Sequence, residues 1–124
     1  MDKESFVSSL QSRCLATEAD MFTELERPVG QQPYVGDVRR SKWFHSLSNA
    51  DRNQLRDVIR FALHSIVFSM LCDLDGVGSV AGTREGGMYV LHYSEGSTEV
   101  DLTDPNQEYL HDIFRSLMDP LYES

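Results

Sequence analysis

The chain has 124 residues, and its 20 acidic and 11 basic side chains give it a formal net charge of −9. Such a charge repels nucleic acid and favours either solubility or a basic partner, and the most apolar window, residues 61–74, is shorter than the about 20 residues that span a bilayer. Because the start, MDKESFVSSLQSR, lacks the basic and apolar runs of a signal peptide, we expect a cytoplasmic single-domain protein with no nucleic-acid or membrane partner.

Residues 3–26 have the spacing of a first helix, since apolar side chains such as Phe6, Leu10 and Cys14 recur every third or fourth position. The last two turns of this helix are acidic, although the helix dipole favours cations there. Either these carboxylates provide solubility or they bind a basic partner, and the sequence leaves both interpretations open. The acidic side chains are Glu18, Asp20, Glu24 and Glu26.

Residues 27–47 contain two prolines and two glycines without a helical period, which predicts a long connection. Connections of this length are uncommon in compact domains and are often functional. Tyr34 is a candidate contact for a partner. A basic cluster also lies here beside Trp43, and such a composition is typical of a single-strand platform, although packing of the tryptophan and pairing of the cations with carboxylates is the alternative. The basic residues are Arg39, Arg40 and Lys42.

Residues 48–74 form the predicted central helix, because apolar side chains recur at steps of three and four from Leu55 to Leu74. Ser48 is the predicted N-cap, and Gly76 is a natural left-handed stop. The second half is apolar on most sides, so we expect neighbouring elements to enclose it.

Residues 77–103 change to a period near two. Residues 77–81 are a possible short edge strand, and residues 88–93 are a predicted strand because they are rich in aromatic and branched side chains. Residues 94–97 form a predicted four-residue turn. Residues 98–103 alternate, which places Val100 and Leu102 inward and Glu99 and Asp101 in water. The result is an antiparallel meander of two or three strands, which must lie against a helix.

Asp104 and Pro105 open a predicted last helix over residues 105–118, with the aspartate as N-cap and the proline in the first turn. The predicted fold is therefore a single α+β domain over residues 1–124, in the order α-α-β-β-β-α. In it, the long central helix and the N- and C-terminal helices pack against the small meander.

The sequence DLDGV at residues 73–77 resembles the first motif of haloacid-dehalogenase-type phosphatases, in which both aspartates follow a parallel strand. The apolar run before this motif has the period of a helix and not of a strand, and no lysine follows to stabilise an anionic transition state. We therefore do not predict a phosphatase. A Ca²⁺ loop is excluded too, because Arg84 stands where the last ligand is expected. We therefore predict no metal, no cofactor and no catalytic residue, and keep a hydrolytic or small-ligand pocket near Asp73, Asp75 and His92 as an alternative.

The segment FALHSIVFSMLCDLDG followed by a short meander resembles small bacterial α+β domains, some of which are immunity proteins of polymorphic-toxin systems. The resemblance implies an acidic single-domain protein that acts by binding.

We therefore expect a non-enzymatic protein-interaction domain that binds a basic protein partner. Immunity-type neutralisation of a toxin is one form that this function could take. Acidic side chains would accelerate association, and a small aromatic centre would supply most of the affinity. Self-association as a homodimer through the hairpin edge is an alternative. The candidate contact residues are Glu18, Asp20, Glu24, Glu26, Tyr34, Tyr89, Tyr93, Glu95, Glu99 and Asp101.

Overall fold

The computed structural model describes residues 1–77 and 87–122. Within these residues it contains four helices and one two-stranded antiparallel sheet, so the prediction of a mixed helix-and-sheet fold is confirmed. The elements in chain order are α1 (Lys3–Glu26), α2 (Val35–His45), α3 (Asn49–Leu74), β1 (His92–Glu95), β2 (Thr98–Asp101) and α4 (Leu110–Tyr122).

The chain divides into two compact units. We call Arg13–Leu63 the helical unit, and Met1–Ser12 together with His64–Ser124 the hairpin unit. Helices α1 and α3 contribute residues to both units. The assignment of residues 1–124 to one domain stays a prediction.

The first and central helices were predicted within one residue of their bounds. The hydroxyl of Ser48 accepts a hydrogen bond of 3.1 Å from the backbone N–H of Asp51, which confirms the N-cap of α3. At its other end Gly76 has φ of 82° and donates to the carbonyl of Asp73 at 3.1 Å, while Val77 donates to that of Cys72 at 3.0 Å. These two bonds form a Schellman motif, so the helix ends where the glycine predicted.

The expectation that neighbouring elements enclose α3 is wrong. Only His64 and Leu71 of this helix are buried, whereas Val58, Ile66 and Met70 are each more than half exposed. The apolar surface of α3 is wider than the surface that the described elements cover, so several of its apolar side chains remain exposed to solvent.

The predicted connection over residues 27–47 contains a helix, α2, so this part of the prediction is wrong. The helical period of α2 in the sequence is weak, and the helix is stabilised by tertiary packing instead. The ring of Phe44 is fully buried and meets the ring of Phe22 edge to face at 5.6 Å. The guanidinium of Arg52 lies 4.8 Å from the Phe44 ring centroid and donates to the carbonyls of Phe44 and His45 at 3.2 and 3.1 Å. A cation thus satisfies the carbonyl end of α2, where the helix dipole favours it.

The sheet is a single hairpin in which His92 pairs with Asp101 and Glu95 with Thr98. Its loop has two residues, with Gly96 at φ 60°, and not the four predicted. The predicted strand over residues 88–93 is also displaced, because β1 begins only at His92 and Met88–Val90 lie exposed outside it.

The alternation of β2 is confirmed in outline: Leu102 is buried and Glu99 is exposed. Val100 and Asp101 are both half-buried. Of the third strand predicted at 77–81, residues 78–81 lie outside the described residues, and Val77 is not in a strand. The three-strand order is therefore not confirmed.

The last helix begins at Leu110 and includes Pro120, so the predicted start at 105 and end at 118 are wrong. Asp104 does not cap it; its Oδ1 accepts from the N–H of Asn106 at 3.0 Å in a local turn. The cap comes from Asp75, whose carboxylate accepts from the backbone N–H groups of Leu110 at 3.1 Å and His111 at 2.8 Å. A side chain 35 residues away in sequence thus supplies the acceptor that a helix N-terminus requires.

The core of the hairpin unit consists of buried side chains from α1, α3, the position after β2, and α4: Val7, Leu71, Leu102, Leu110, Ile113 and Phe114. The ammonium of Lys3, itself buried, donates to the backbone carbonyls of Asp104 and Glu108 at 2.9 Å each. The turn that precedes α4 is therefore tied to the first turn of α1.

Replacing Asp75 by alanine tests the tertiary cap. The side chain is 1% exposed, so the substitution removes two helix-capping acceptors that water cannot replace. We expect the free energy of unfolding to fall by about 2–3 kcal/mol, measured by urea denaturation followed by circular dichroism.

The matched control is Asp119→Ala on the exposed surface of α4, which should change stability by less than about 0.5 kcal/mol. Equal effects of the two substitutions would contradict the capping role.

Candidate protein-binding groove

The helical unit contains a groove of about 410 Å³ that all three of its helices line. This volume lies in the range of about 300–1,000 Å³ that is usual for binding pockets. From α1 come Met21, Glu24 and Leu25, from α2 Asp37, Arg40 and Trp43, and from α3 Leu55 and Ile59.

The apolar lining of the groove follows from helix periodicity. Met21 and Leu25 are four residues apart on α1, as are Leu55 and Ile59 on α3, and this spacing puts each pair on one helix face. Trp43 projects from α2 and remains 52% exposed, which is unusual for so large an aromatic side chain. An apolar surface of this kind favours the apolar face of a ligand or partner over water.

Packing of the three helices holds the groove open. The Phe22–Phe44 contact joins α1 to α2, and the guanidinium of Arg56 on α3 lies 4.3 Å from the Phe22 ring centroid. These contacts use side chains that do not line the groove, whereas the lining residues Leu25, Leu55 and Ile59 are half-buried beside them.

The groove carries three charged groups, which differ in their partners. Arg40 forms a salt bridge with Asp37 one turn earlier on α2, so these two charges offset each other. Glu24 is exposed and makes no ion pair with any described residue. The groove therefore presents one uncompensated negative charge beside an apolar floor.

Glu18 is not available for a partner, contrary to the prediction. Its side chain is 5% exposed and accepts two hydrogen bonds from the guanidinium of Arg60, at 2.6 and 3.0 Å. Arg56 lies 3.8 Å from the same carboxylate. This buried pair joins α1 to α3, and its geometry is the bidentate one that Arg and carboxylate favour.

The other predicted residues of the helical unit are at the surface. Asp20, Glu24 and Glu26 are exposed along α1, and of these only Glu24 lines the groove. Tyr34 is 83% exposed, immediately before α2.

The predicted residues of the hairpin unit are also accessible, in different degrees. Glu95 and Glu99 are exposed and Tyr93 is half-buried, and Tyr89 is exposed in the segment before β1. The Tyr93 hydroxyl donates to Glu95 at 2.7 Å, and this bond raises the pKa of the tyrosine because it stabilises the protonated phenol.

Asp101 has an internal structural role. Its Oδ1 accepts from the backbone N–H and the hydroxyl of Thr103, both at 2.9 Å. These hydrogen bonds lower the pKa of Asp101, since they favour the ionised carboxylate.

Charge is divided unequally between the two units. The hairpin unit contains 13 acidic and 3 basic residues, whereas the helical unit contains 7 acidic and 8 basic ones. The net charge of the chain therefore resides in the hairpin unit, and the helical unit is close to neutral. The composition of the whole chain concealed this division because the unit boundaries are not visible in the sequence.

The hydrolytic or small-ligand alternative placed a pocket near Asp73, Asp75 and His92. Of these side chains, Asp75 is enclosed by hydrogen bonds and His92 is exposed to solvent. Both oxygens of Asp75 are hydrogen-bonded at α4, where His111 Nδ1 also lies 2.6 Å from Oδ2. His92 is exposed on β1, opposite Asp101. Over residues 1–77 and 87–122, no group of three or more His, Cys, Asp or Glu side chains is arranged to hold a metal ion.

Both cysteines are free. Burial raises the pKa of the Cys14 thiol, and burial together with the charge of Asp75 raises that of Cys72. Neither side chain therefore has the lowered pKa that marks a reactive cysteine.

Comparison with known proteins gives no relative. No family model, no curated protein and no solved structure matches the chain. The resemblance to immunity proteins therefore stays a prediction. Among the described helices none is both long enough and apolar enough to cross a membrane.

Substitution of Glu18 and of Glu24 compares the contribution to stability of a buried, ion-paired carboxylate with that of an exposed one. Replacing Glu18 by glutamine leaves Arg60 without its charged partner, and we expect the free energy of unfolding to fall by about 2 kcal/mol. Replacing Glu24 by glutamine should change it by less than about 0.5 kcal/mol.

Both variants are compared with the unsubstituted chain in urea denaturation. If the Glu24 variant were the less stable of the two, the structural role of Glu18 would be contradicted.

Proposed function

We propose that this chain is a non-enzymatic protein-interaction domain that binds a basic protein partner, and that the groove of the helical unit accepts an amphipathic helix of that partner. The observation that carries the proposal is the apolar groove between three helices, with a half-exposed tryptophan and one uncompensated carboxylate. Binding of a helix in a groove is a recurrent mode of recognition.

The shape of the groove supports a helical occupant. Its apolar pairs on α1 and α3 follow the i, i+4 rows along which helices pack against one another. A partner helix with apolar residues at the same spacing would insert between these rows and cover Trp43. Aromatic side chains in such positions commonly supply a large share of binding energy.

The charge of the groove supports a basic residue on that helix. A partner helix removes water from Glu24, and burying an unpaired carboxylate is unfavourable. A lysine or arginine of the partner restores the balance, whereas Arg40 is already paired with Asp37. The net charge of −9 acts at longer range and accelerates encounter with a basic protein.

Neutralisation of a toxin by an immunity-type protein is one form of this function. Its support is the sequence resemblance together with the acidic charge, which suits a basic toxin such as a nuclease. The exposed acids Asp20, Glu26, Glu95 and Glu99 would then contribute to attraction, and Tyr34, Tyr89 and Tyr93 stay candidate contacts outside the groove.

Trp43 makes the groove directly observable, because it is the only tryptophan in the chain. As probe we use a synthetic helical peptide without tryptophan, with leucines at i, i+4 and i+7 flanked by lysines, and a second peptide in which glutamates replace the lysines. Binding should shift the emission of Trp43 to shorter wavelength, and the lysine peptide should bind about tenfold more tightly because it pairs with Glu24.

The substitution Glu24→Lys should remove or reverse this preference between the two peptides. The matched control is Asp57→Lys, which changes the charge equally at an exposed position of α3 that does not line the groove. Absence of any emission shift with either peptide would contradict the groove as the site, and equal effects of the two substitutions would contradict the role of Glu24.

A further inference from the structure

A second pocket of the helical unit shares no lining residue with the groove. Its volume is about 390 Å³, and the two aromatic rings that join α1 to α2 lie in its wall. Every other lining residue is polar or charged, so this pocket differs chemically from the apolar groove. We call it the arginine pocket, and its lining residues are Phe22, Glu26, Phe44, Asn49, Arg52, Asn53 and Arg56.

The two guanidinium groups of the arginine pocket rest on its aromatic rings. Arg52 and Arg56 are four residues apart on α3 and therefore lie on one helix face. The guanidinium of Arg52 lies 4.8 Å from the Phe44 ring centroid, and that of Arg56 lies 4.3 Å from the Phe22 ring centroid. These contacts hold both cations in place before a ligand arrives, which reduces the entropy that binding costs.

Neither guanidinium is neutralised by a carboxylate of its own among the described residues. Arg52 donates through Nε and Nη2 to backbone carbonyls, which carry no net charge. The carboxylate of Glu18 lies 3.8 Å from Nη1 of Arg56 but already accepts two hydrogen bonds from Arg60. Since Arg56 and Arg60 share one carboxylate, the wall of the pocket retains positive charge.

The remaining lining residues are two asparagines and one glutamate. Asn49 and Asn53 are exposed and four residues apart on α3, so their carboxamides offer N–H donors beside the two guanidiniums. Asn49 is also the first residue of α3, where the helix dipole is positive. Glu26 is exposed and forms no ion pair with a residue that the structure describes.

We infer that the arginine pocket binds a phosphate group, either as inorganic phosphate or as a small phosphate monoester. A phosphate monoester near neutral pH carries about −1.5 to −2 charges and three acceptor oxygens. It therefore uses two guanidiniums and two carboxamides more fully than a carboxylate does, and arginine binds phosphate oxygens in a bidentate manner. The carboxylate of Glu26 repels the anion and limits its affinity. The inference does not depend on the proposed groove.

Titration of the full chain with inorganic phosphate and, separately, with glycerol phosphate tests the inference at constant ionic strength. The readout is the side-chain amide resonances of Asn49 and Asn53 in NMR spectra, because these groups belong to the pocket itself. We expect both resonances to shift and to saturate. Tighter binding of glycerol phosphate would assign the pocket to a monoester, and tighter binding of inorganic phosphate would assign it to the free ion.

The substitution Arg56→Gln removes one guanidinium and leaves the hydrogen bonds of Arg52 at the end of α2 intact. We expect the dissociation constant for phosphate to rise at least about tenfold, and circular dichroism checks that the variant is folded. The matched control is Arg13→Gln, which makes the same change of charge at an exposed position outside the pocket. It should change the dissociation constant by less than about twofold.

The substitution Glu26→Gln is an independent test at an exposed position of α1. Because it removes the repulsion, we expect the dissociation constant for phosphate to fall about threefold. Asp20→Asn, which also removes one exposed carboxylate of α1 but does not line the pocket, should have a smaller effect.

Three results would overturn the inference. The first is the absence of a saturable shift of either amide with both phosphate compounds. The second is an equal loss of affinity in the Arg56 and Arg13 variants, which would show only a general attraction of charge. The third is saturation by acetate at the same concentration as by phosphate, which would contradict the assigned class of ligand.

Discussion

The contact between Phe22 and Phe44 is the constraint on which the surface of the helical unit depends. It fixes a helix in a stretch whose prolines and glycines favour an irregular connection, and Arg52 then closes the carbonyl end of that helix. With α2 in place, one of its sides lines the groove with Trp43 and another carries Arg39 and Lys42 into solvent. The position of Trp43 in the groove and the exposure of Arg39 and Lys42 are therefore consequences of one aromatic pair and its cation.

Carboxylates in this protein differ in role according to burial, not according to sequence. Glu18 and Asp75 are enclosed, and each holds two elements together through hydrogen bonds. Glu24, Glu95 and Glu99 are exposed and have no paired cation among the described residues. The net charge of −9 therefore does not describe either unit. A partner of the helical unit meets a nearly neutral surface, whereas a partner of the hairpin unit meets a strongly acidic one.

The sequence was sufficient to place α1 and α3, because both have long apolar periods and α3 also has local end signals in Ser48 and Gly76. It was insufficient for α2 and for the start of α4, because the interactions that determine them come from distant residues. Phe44 needs Phe22, and the N-terminus of α4 needs Asp75. The groove was missed for a related reason: the i, i+4 pairs of α1 and α3 are visible in the sequence, but periodicity cannot tell whether such a pair faces a neighbour or solvent.

The cap that Asp75 places on α4 makes the ends of two helices thermodynamically interdependent. Fraying of the last turn of α3 withdraws the acceptor from the amides of Leu110 and His111, and loosening of α4 in turn exposes the carboxylate. These segments should therefore open together as one cooperative unit in native-state hydrogen exchange.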